Sequence, residues 1–523
     1  MAGAISAGAY TAGVMDYLIE ALDEWEKRRG DEDVPKHKVV IKTIGGASAG
    51  GMTGIIAASA INNPITHVSK LEGDILKPFP ENKLYNSWVD LTAEDMFPKL
   101  METSDVSKGS VYSLFNSNFI DEIAERAVNV DKGNRIERPY FYNQMKLFAT
   151  LSNVEGYSYN ANFRGNLPVN DYFVSRHSDF ACFELNRSEN EYKDGWVPLD
   201  FFNDVNVDLA KNAAMATGAF PVGLRARKLS RNKKYVNDHK WFKDLVENTP
   251  VTDNPYESLI IDGGMINNEP FFKVREELTG IHEDHNEFKS TVLMIDPFPS
   301  EAESYDVEDD KLIDVIGGTL SAMVGHLRTK PEVLREALTK DDFRQFMIAP
   351  SRKVNGNRKD GSAAIACGTL GGFGGFVDKE FRIHDFFLGR ANCEWFLRQY
   401  FTVPKDTTNP VFVDGYSGIS PGKYVASDGR RQIIPLFTPK KEDMYMPKFE
   451  AGGDWPMRNR NDILRFRTPI KRRISSVVKN VVALDGFAGM MLGVANTLVK
   501  GNLAKGAENI ILKSLEKHQL LKD

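Results

Sequence analysis

Between residues 39 and 61 the chain changes character three times in quick succession. Val39-Val40-Ile41-Lys42-Thr43-Ile44 is rich in β-branched residues and reads as a buried strand. It runs straight into Gly45-Gly46-Ala47-Ser48-Ala49-Gly50-Gly51, after which Met52 to Ile61 is small and apolar, suited to a helix lying close against a sheet. Strand, tight glycine turn and helix in that order commit this region to an α/β architecture. The segment ahead of it has helical spacing, with Val14, Leu18, Leu22 and Trp25 on one stripe. Lys27-Arg28-Arg29-Gly30 closes that helix, with cations in the last turn and a glycine beyond them. Further strands are expected at Lys146–Leu151, Ser258–Ile261 and Thr291–Ile295. Helices are expected at His384–Tyr400 and at Leu312–Leu338, the latter broken at Pro331.

Within the turn, Gly46-Ala47-Ser48-Ala49-Gly50 is a GxSxG pattern. A serine forced into a sharp strand-to-helix turn takes a strained backbone conformation, and neighbours without side chains leave its Oγ room to project. The helix that follows adds a partial positive charge and the free N–H of Ala49, both of which stabilise an oxyanion. The same pattern also fits a glycine-rich turn that only packs helix on sheet; the flanking strand and helix favour a nucleophile. A phosphate cradle is the weaker option, because neither GxxxxGK[ST] nor GxGxxG is present. A nucleophilic serine needs a base, and Leu259-Ile260-Ile261-Asp262-Gly263-Gly264 is an apolar strand ending in Asp-Gly-Gly. A carboxylate at a strand's C-terminal end points into the crevice where α/β ligands bind, although Asp-Gly is also a common turn.

Composition narrows the partners. The 523 residues carry 66 Lys+Arg against 72 Asp+Glu, a net charge of −6, which argues against a chain-wide nucleic-acid surface. Cys182, Cys367 and Cys393 are scattered, forming neither a disulfide framework nor a metal-ligand set, and fit a reducing, cytoplasmic setting. His282-Glu-Asp-His285 reads as a solvated loop rather than a metal site, and no metal or organic cofactor is expected. Gly486 to Val499 is too short for a spanning helix. Arg458 to Lys479 is strongly basic and leads into an amphipathic stripe of Ile474, Val477, Val478, Val481 and Val482. That stripe fits either a helix docked on the protein or a peripheral anchor on the inner face of a membrane.

Four further segments join the two motifs. They are the Gly/Ala loop Gly3–Gly13, Leu147-Phe-Ala-Thr-Leu-Ser-Asn-Val-Glu-Gly156, Ala213-Ala-Met-Ala-Thr-Gly-Ala-Phe-Pro221 and Asp262-Gly-Gly-Met-Ile-Asn-Asn-Glu-Pro270. In this order, across residues 1 to about 300, the chain resembles the patatin-like phospholipase family. The resemblance implies a three-layer α/β/α sandwich with a mainly parallel central sheet, here with a mostly helical C-terminal extension. It implies a Ser–Asp dyad without histidine: Ser48 attacks the ester and Asp262 takes its proton. The substrate implied is a phospholipid or lysophospholipid at a membrane surface.

The oxyanion hole would come from backbone N–H groups of Gly3, Ala4, Ile5, Ser6 and Gly8, joined by Ala49, with Gly46, Gly50, Gly263 and Gly264 shaping the motifs. The family's loop usually reads three glycines, any residue, a basic residue and glycine. Gly3-Ala4-Ile5-Ser6-Ala7-Gly8 lacks two of those glycines and the basic residue, so a β-branched side chain must suit the loop geometry at Ile5. The fold also expects a strand just ahead of Gly3, where only Met1-Ala2 stand. The expected organisation is a catalytic domain over 1–300 with 75–145 as an insertion or lid, a mixed extension over 301–455 and a basic helical tail over 456–523. Two rival readings are a catalytically weak membrane-surface scaffold and a Ser–His–Asp esterase completed by His282, His326 or His384.

Overall fold

The structure is a computed structural model that describes residues 1–92, 96–107, 109–160, 172–187, 192, 194–243, 249–299, 342–451, 453–481 and 486–522, with the backbone alone described over 486–500. The helix expected at Leu312–Leu338, with His326 in it, lies outside the described residues. The first half runs α1 (Gly8–Arg28), β1 (Ile41–Gly46), α2 (Ala49–Ala60), α3 (Asn118–Val128), β2 (Phe141–Asn160), β3 (Phe173–Leu185) and β4 (Val197–Leu199). It continues through α4 (Val207–Thr217), β5 (Arg227–Arg231), β6 (Tyr256–Asp262) and β7 (Val292–Ile295). After that come β8 (Gln345–Ile348), α5 (Lys379–Gln399), α6 (Arg467–Val481) and α7 (Gly486–Lys517).

The expected α/β class holds, but the pairing inside the sheet is mixed rather than mainly parallel. β1 pairs β2 in parallel, as a strand–helix–strand crossover through α2 requires. β3 and β6 both run antiparallel to β2, β5 is antiparallel to β6, and β4 lies parallel to β3. Alternation along the strands sorts the side chains onto two faces. Leu147, Ala149, Leu151, Ala181 and Phe183 join the large core with α1 and α2, while Phe148, Phe180 and Cys182 join Trp196, Trp241 and Phe242 in a second cluster. That second face also buries Arg231 against the carboxylate of Asp179.

Where a strand was expected ahead of Gly3, Met1 and Ala2 bridge two edges. The Met1 amino group donates to Gly45 O at 2.8 Å and Ala47 N–H to Met1 O at 3.1 Å, while Ala2 N–H donates to Ile295 O at 2.9 Å. These bonds tie the end of β1 to the end of β7. Beyond them a cleft of about 750 Å³ runs between the two strands, lined by Ile41, Thr43, Leu293, Ile295 and Phe271 among others.

Elements from both sides of residue 300 share the large core. α5 is buried on nearly every side, including Phe381, Phe386, Phe387 and Phe396, whereas Tyr400, just past its C-terminal end, is half exposed. It packs against α1, and Asp16 of α1, fully buried, receives Arg390 of α5, His67 and Asn82. Arg390 also reaches Glu20. The basic amphipathic segment is a docked helix: Ile470, Arg473 and Val477 of α6 are buried. The Arg473 guanidinium holds Asp105 and the carbonyls of Glu102, Ser113 and Leu114. Among the described residues no helix is long and apolar enough to cross a membrane.

Candidate active site

β1 ends at Gly46 and α2 begins at Ala49, so only Ala47 and Ser48 make the reversal. Ser48 takes φ 50 and ψ −127, a region that L-residues seldom occupy. Such strain persists only where surrounding structure fixes it. Here the clamp is close backbone packing: a Cβ on Gly46 would lie 2.4 Å from the Gly50 carbonyl, so the turn closes only on glycine. A second clamp went unread in the sequence. The Ser48 N–H donates to Thr217 Oγ1 at 2.9 Å, and that hydroxyl donates in turn to Thr150 O in β2 at 2.7 Å. The Ala213–Pro221 segment thus supplies a positioning hydroxyl as well as a packed helix.

β6 delivers Asp262 to the same point. Its N–H donates to Ala219 O at 2.9 Å, and Ser152 Oγ donates to its carbonyl at 2.9 Å. The carboxylate is oriented by Gly264 N–H, 2.7 Å from Oδ1. Across a separation of 214 residues, Ser48 Oγ donates to Asp262 Oδ2 at 2.5 Å. Ser48 is 5% exposed and Asp262 3% exposed, so the pair is nearly dry. Gly263 lies directly over the Thr150 carbonyl, where a Cβ would come within 1.9 Å. The Asp-Gly-Gly pattern therefore encodes a close approach of two strands.

Beside the pair runs the first loop. Gly3 abuts the serine, a methyl there lying 3.0 Å from Ser48 Cβ, and Ala4 leads into a short 3₁₀ turn, Ile5–Ala7. Ile5 takes φ 47, a strained value for a β-branched residue. Among the described residues no backbone acceptor meets the N–H groups of Gly3, Ala4, Ile5 or Ala49. Gly8 differs: its N–H is turned back onto the carbonyls of Ile5 and Ser6. The Ser6 hydroxyl donates to Gly372 O and accepts from Gly375 N–H at 2.9 Å, so it fastens the loop to the glycine-rich segment of the C-terminal half. That segment is held from behind by α7, where Ser514 Oγ contacts Thr369 Oγ1 at 2.6 Å and accepts from Leu370 N–H at 2.9 Å.

The histidines offered as alternative bases bond elsewhere. His282 is surface-exposed beside Glu287, and His384 is buried against Asp385 and the Trp455 ring. Asn268 is a further neighbour that the sequence pattern did not single out; it is buried, its side-chain oxygen lies against Gly3 and Gly264, and its Nδ2 has no partner. Among the described residues no three His, Cys, Asp or Glu side chains cluster as a metal site.

Comparison with known proteins gives two findings. The sequence profile of the family described as patatin-like phospholipase matches residues 1–274. A protein of Sinorhizobium fredii, named uncharacterized protein y4iI, is 30% identical over 570 residues, covering 96% of this chain and 78% of that protein.

Proposed function

Because the chain belongs to the patatin-like phospholipase family, whose members are lipid hydrolases, we propose that it cleaves carboxylic esters of phospholipids or lysophospholipids through a Ser48–Asp262 dyad. The observation that carries this reading is the direct 2.5 Å hydrogen bond from the serine hydroxyl to the carboxylate. Ser48 Oγ attacks the ester carbonyl while its proton passes to Asp262 Oδ2. The resulting oxyanion is received by the N–H of Ala49 and those of the Gly3–Ile5 loop, each such donor typically worth about 3–4 kcal/mol. Collapse expels the alcohol, which takes the proton back from Asp262, and leaves an acyl-serine. Water then attacks the acyl carbonyl as its proton passes to Asp262, and collapse breaks the acyl–Oγ bond, so that the fatty acid leaves while Ser48 Oγ takes the proton back from Asp262.

A carboxylate is an indifferent base for a hydroxyl in water, where its pKa is about 3.9. Contact distance and burial are what make proton transfer feasible here. In this reading residues 1–300 carry the chemistry, 75–145 cover the site, and 301–455 with 456–523 buttress the loop through Ser6. Product analysis by mass spectrometry on mixed phospholipid vesicles tests it. Wild type should release free fatty acid and a lysolipid or a deacylated head group, and Ser48→Ala should release neither. Equal release by the variant would refute the nucleophile.

A further inference from the structure

Four exposed apolar side chains sit around one short stretch of surface. Tyr112 and Leu114 lie on the loop that precedes α3, Val222 follows α4, and Val481 ends α6; they are 58%, 47%, 71% and 58% exposed. They are neighbours through the backbone: Leu114 N–H donates to Val222 O at 2.8 Å, Phe115 N–H to Gly223 O at 3.1 Å, and Gly109 N–H to Asn480 O at 3.1 Å. Val222 is the most exposed of the group and also takes φ 68, an unfavourable backbone for a β-branched residue. Strained outliers of this kind gather at ligand clamps and functional surfaces.

A series of apolar contacts links the patch to the loop beside the nucleophile. Phe115 and Phe220 each contact Phe373, with ring centroids 5.9 and 5.5 Å apart. Phe373 adjoins Gly372, where an added Cβ would meet Ile5 Cδ1 at 3.4 Å. Ile5 belongs to the loop against Ser48. The rim is cationic. Arg225 lies over the Tyr112 ring at 4.4 Å, and α6 has exposed Lys471, Arg472 and Lys479 and no acidic residue of its own. Among the described residues, the nearby carboxylates Asp105 and Asp121 are engaged by Arg473 and Arg227, and Glu102 and Glu122 are exposed.

Building on the lipid-hydrolase reading, we infer that this face, centred on Val222 and Leu114, is where the protein seats on an anionic lipid bilayer, and that an acyl chain passes from there along Phe115, Phe220 and Phe373 to Ser48. The charge complementarity of the rim and the continuity of the apolar contacts with the loop beside the reactive serine select a lipid surface as the occupant. Apolar side chains enter the interface while the surrounding cations meet lipid phosphates, each cation contributing about tenfold or less to affinity.

The test is co-sedimentation with vesicles of phosphatidylglycerol and phosphatidylcholine, beside vesicles of phosphatidylcholine alone. Wild type is compared with Val222→Asp and with the double variant carrying Leu114→Asp as well. Aspartate tolerates the left-handed region better than valine, so Val222→Asp does not add strain. Wild type should bind the anionic vesicles more strongly, less so at high salt, and the double variant should lose affinity by about tenfold or more. Turnover of a soluble short-chain nitrophenyl ester should be unchanged in both variants. Undiminished vesicle binding by the double variant overturns the inference, as does failure of wild type to bind either vesicle or its self-association through these residues. Failure of wild type to turn over the soluble ester would instead refute the hydrolase reading, and the binding comparison decides the surface independently of it.

Discussion

Gly263→Ala would place a methyl group directly into the contact that holds β2 against the Asp262 turn. Its new Cβ would lie 1.9 Å from Thr150 O and 2.4 Å from Thr150 Oγ1, whereas a carbon and an oxygen approach comfortably at about 3.3–3.6 Å. Something must therefore yield by about 1.4 Å. Thr150 cannot do so easily, because β2 is paired at that point with Phe180 of β3 and its carbonyl already accepts from Thr217. The displacement falls on the turn that begins at Asp262 and lifts the carboxylate away from Ser48. A misplacement of about 1 Å typically costs on the order of 100-fold in rate, and forced overpacking costs about 1–3 kcal/mol of stability. Gly264→Ala is the matched control. Its Cβ would meet side-chain atoms, Asn268 Oδ1 at 2.7 Å and Asp262 Oδ1 at 3.0 Å, and the amide can turn aside, so the rate should stay within about tenfold of wild type. Ester turnover and urea midpoints of the two variants measured together check this. Wild-type turnover in Gly263→Ala would refute the claim that the two strands lock the dyad.

Two further outcomes follow from particular groups. Removing the Ser6 hydroxyl in Ser6→Ala leaves Gly372 O and Gly375 N–H buried without their partner, which should lower stability by about 1–3 kcal/mol and slow ester turnover by releasing the loop; urea unfolding beside steady-state kinetics reads both. His67 is subject to burial, which alone would lower its pKa, but its hydrogen bond with Asp16, the Asp23 carboxylate 3.5 Å from Nε2, and the charge of Asp16 and Glu20 prevail and raise it to about 9. Relative to an unfolded value near 6.5, the raised pKa stabilises the fold by on the order of 3 kcal/mol, fully below about pH 6.5 and lost as pH rises through about 9. Urea midpoints should fall across that window in wild type and fall less in His67→Gln.

The glycine elbow was legible because its strand, turn and helix are contiguous and each has its own residue signature. The Asp-Gly-Gly strand end was legible for the same reason, and β1, β2, β6 and β7 lie where their apolar runs placed them. What the sequence could not show is contact across long separations. Thr217 sits in an alanine-rich helix and looks like filler until its hydroxyl is seen between Ser48 N–H and Thr150 O. Ser6, read as part of an oxyanion loop, spends its side chain on a segment 366 residues away. The share of antiparallel pairing was not legible, because an apolar run reports burial and not the sense of pairing, which the connections set. The loop's departure from three glycines is resolved by strain, with Ile5 held at positive φ beside Gly372 and Gly3 against Ser48.

The claim beneath all of this is that a carboxylate alone activates the serine. The rate at which a fluorophosphonate labels Ser48, compared between wild type and Asp262→Asn with both shown to be folded by circular dichroism, tests it most directly. Loss of a positioned general base should slow labelling by about 100- to 10,000-fold, with the label still mapping to Ser48 in wild type. Labelling of Asp262→Asn at the wild-type rate would mean that another group takes the proton.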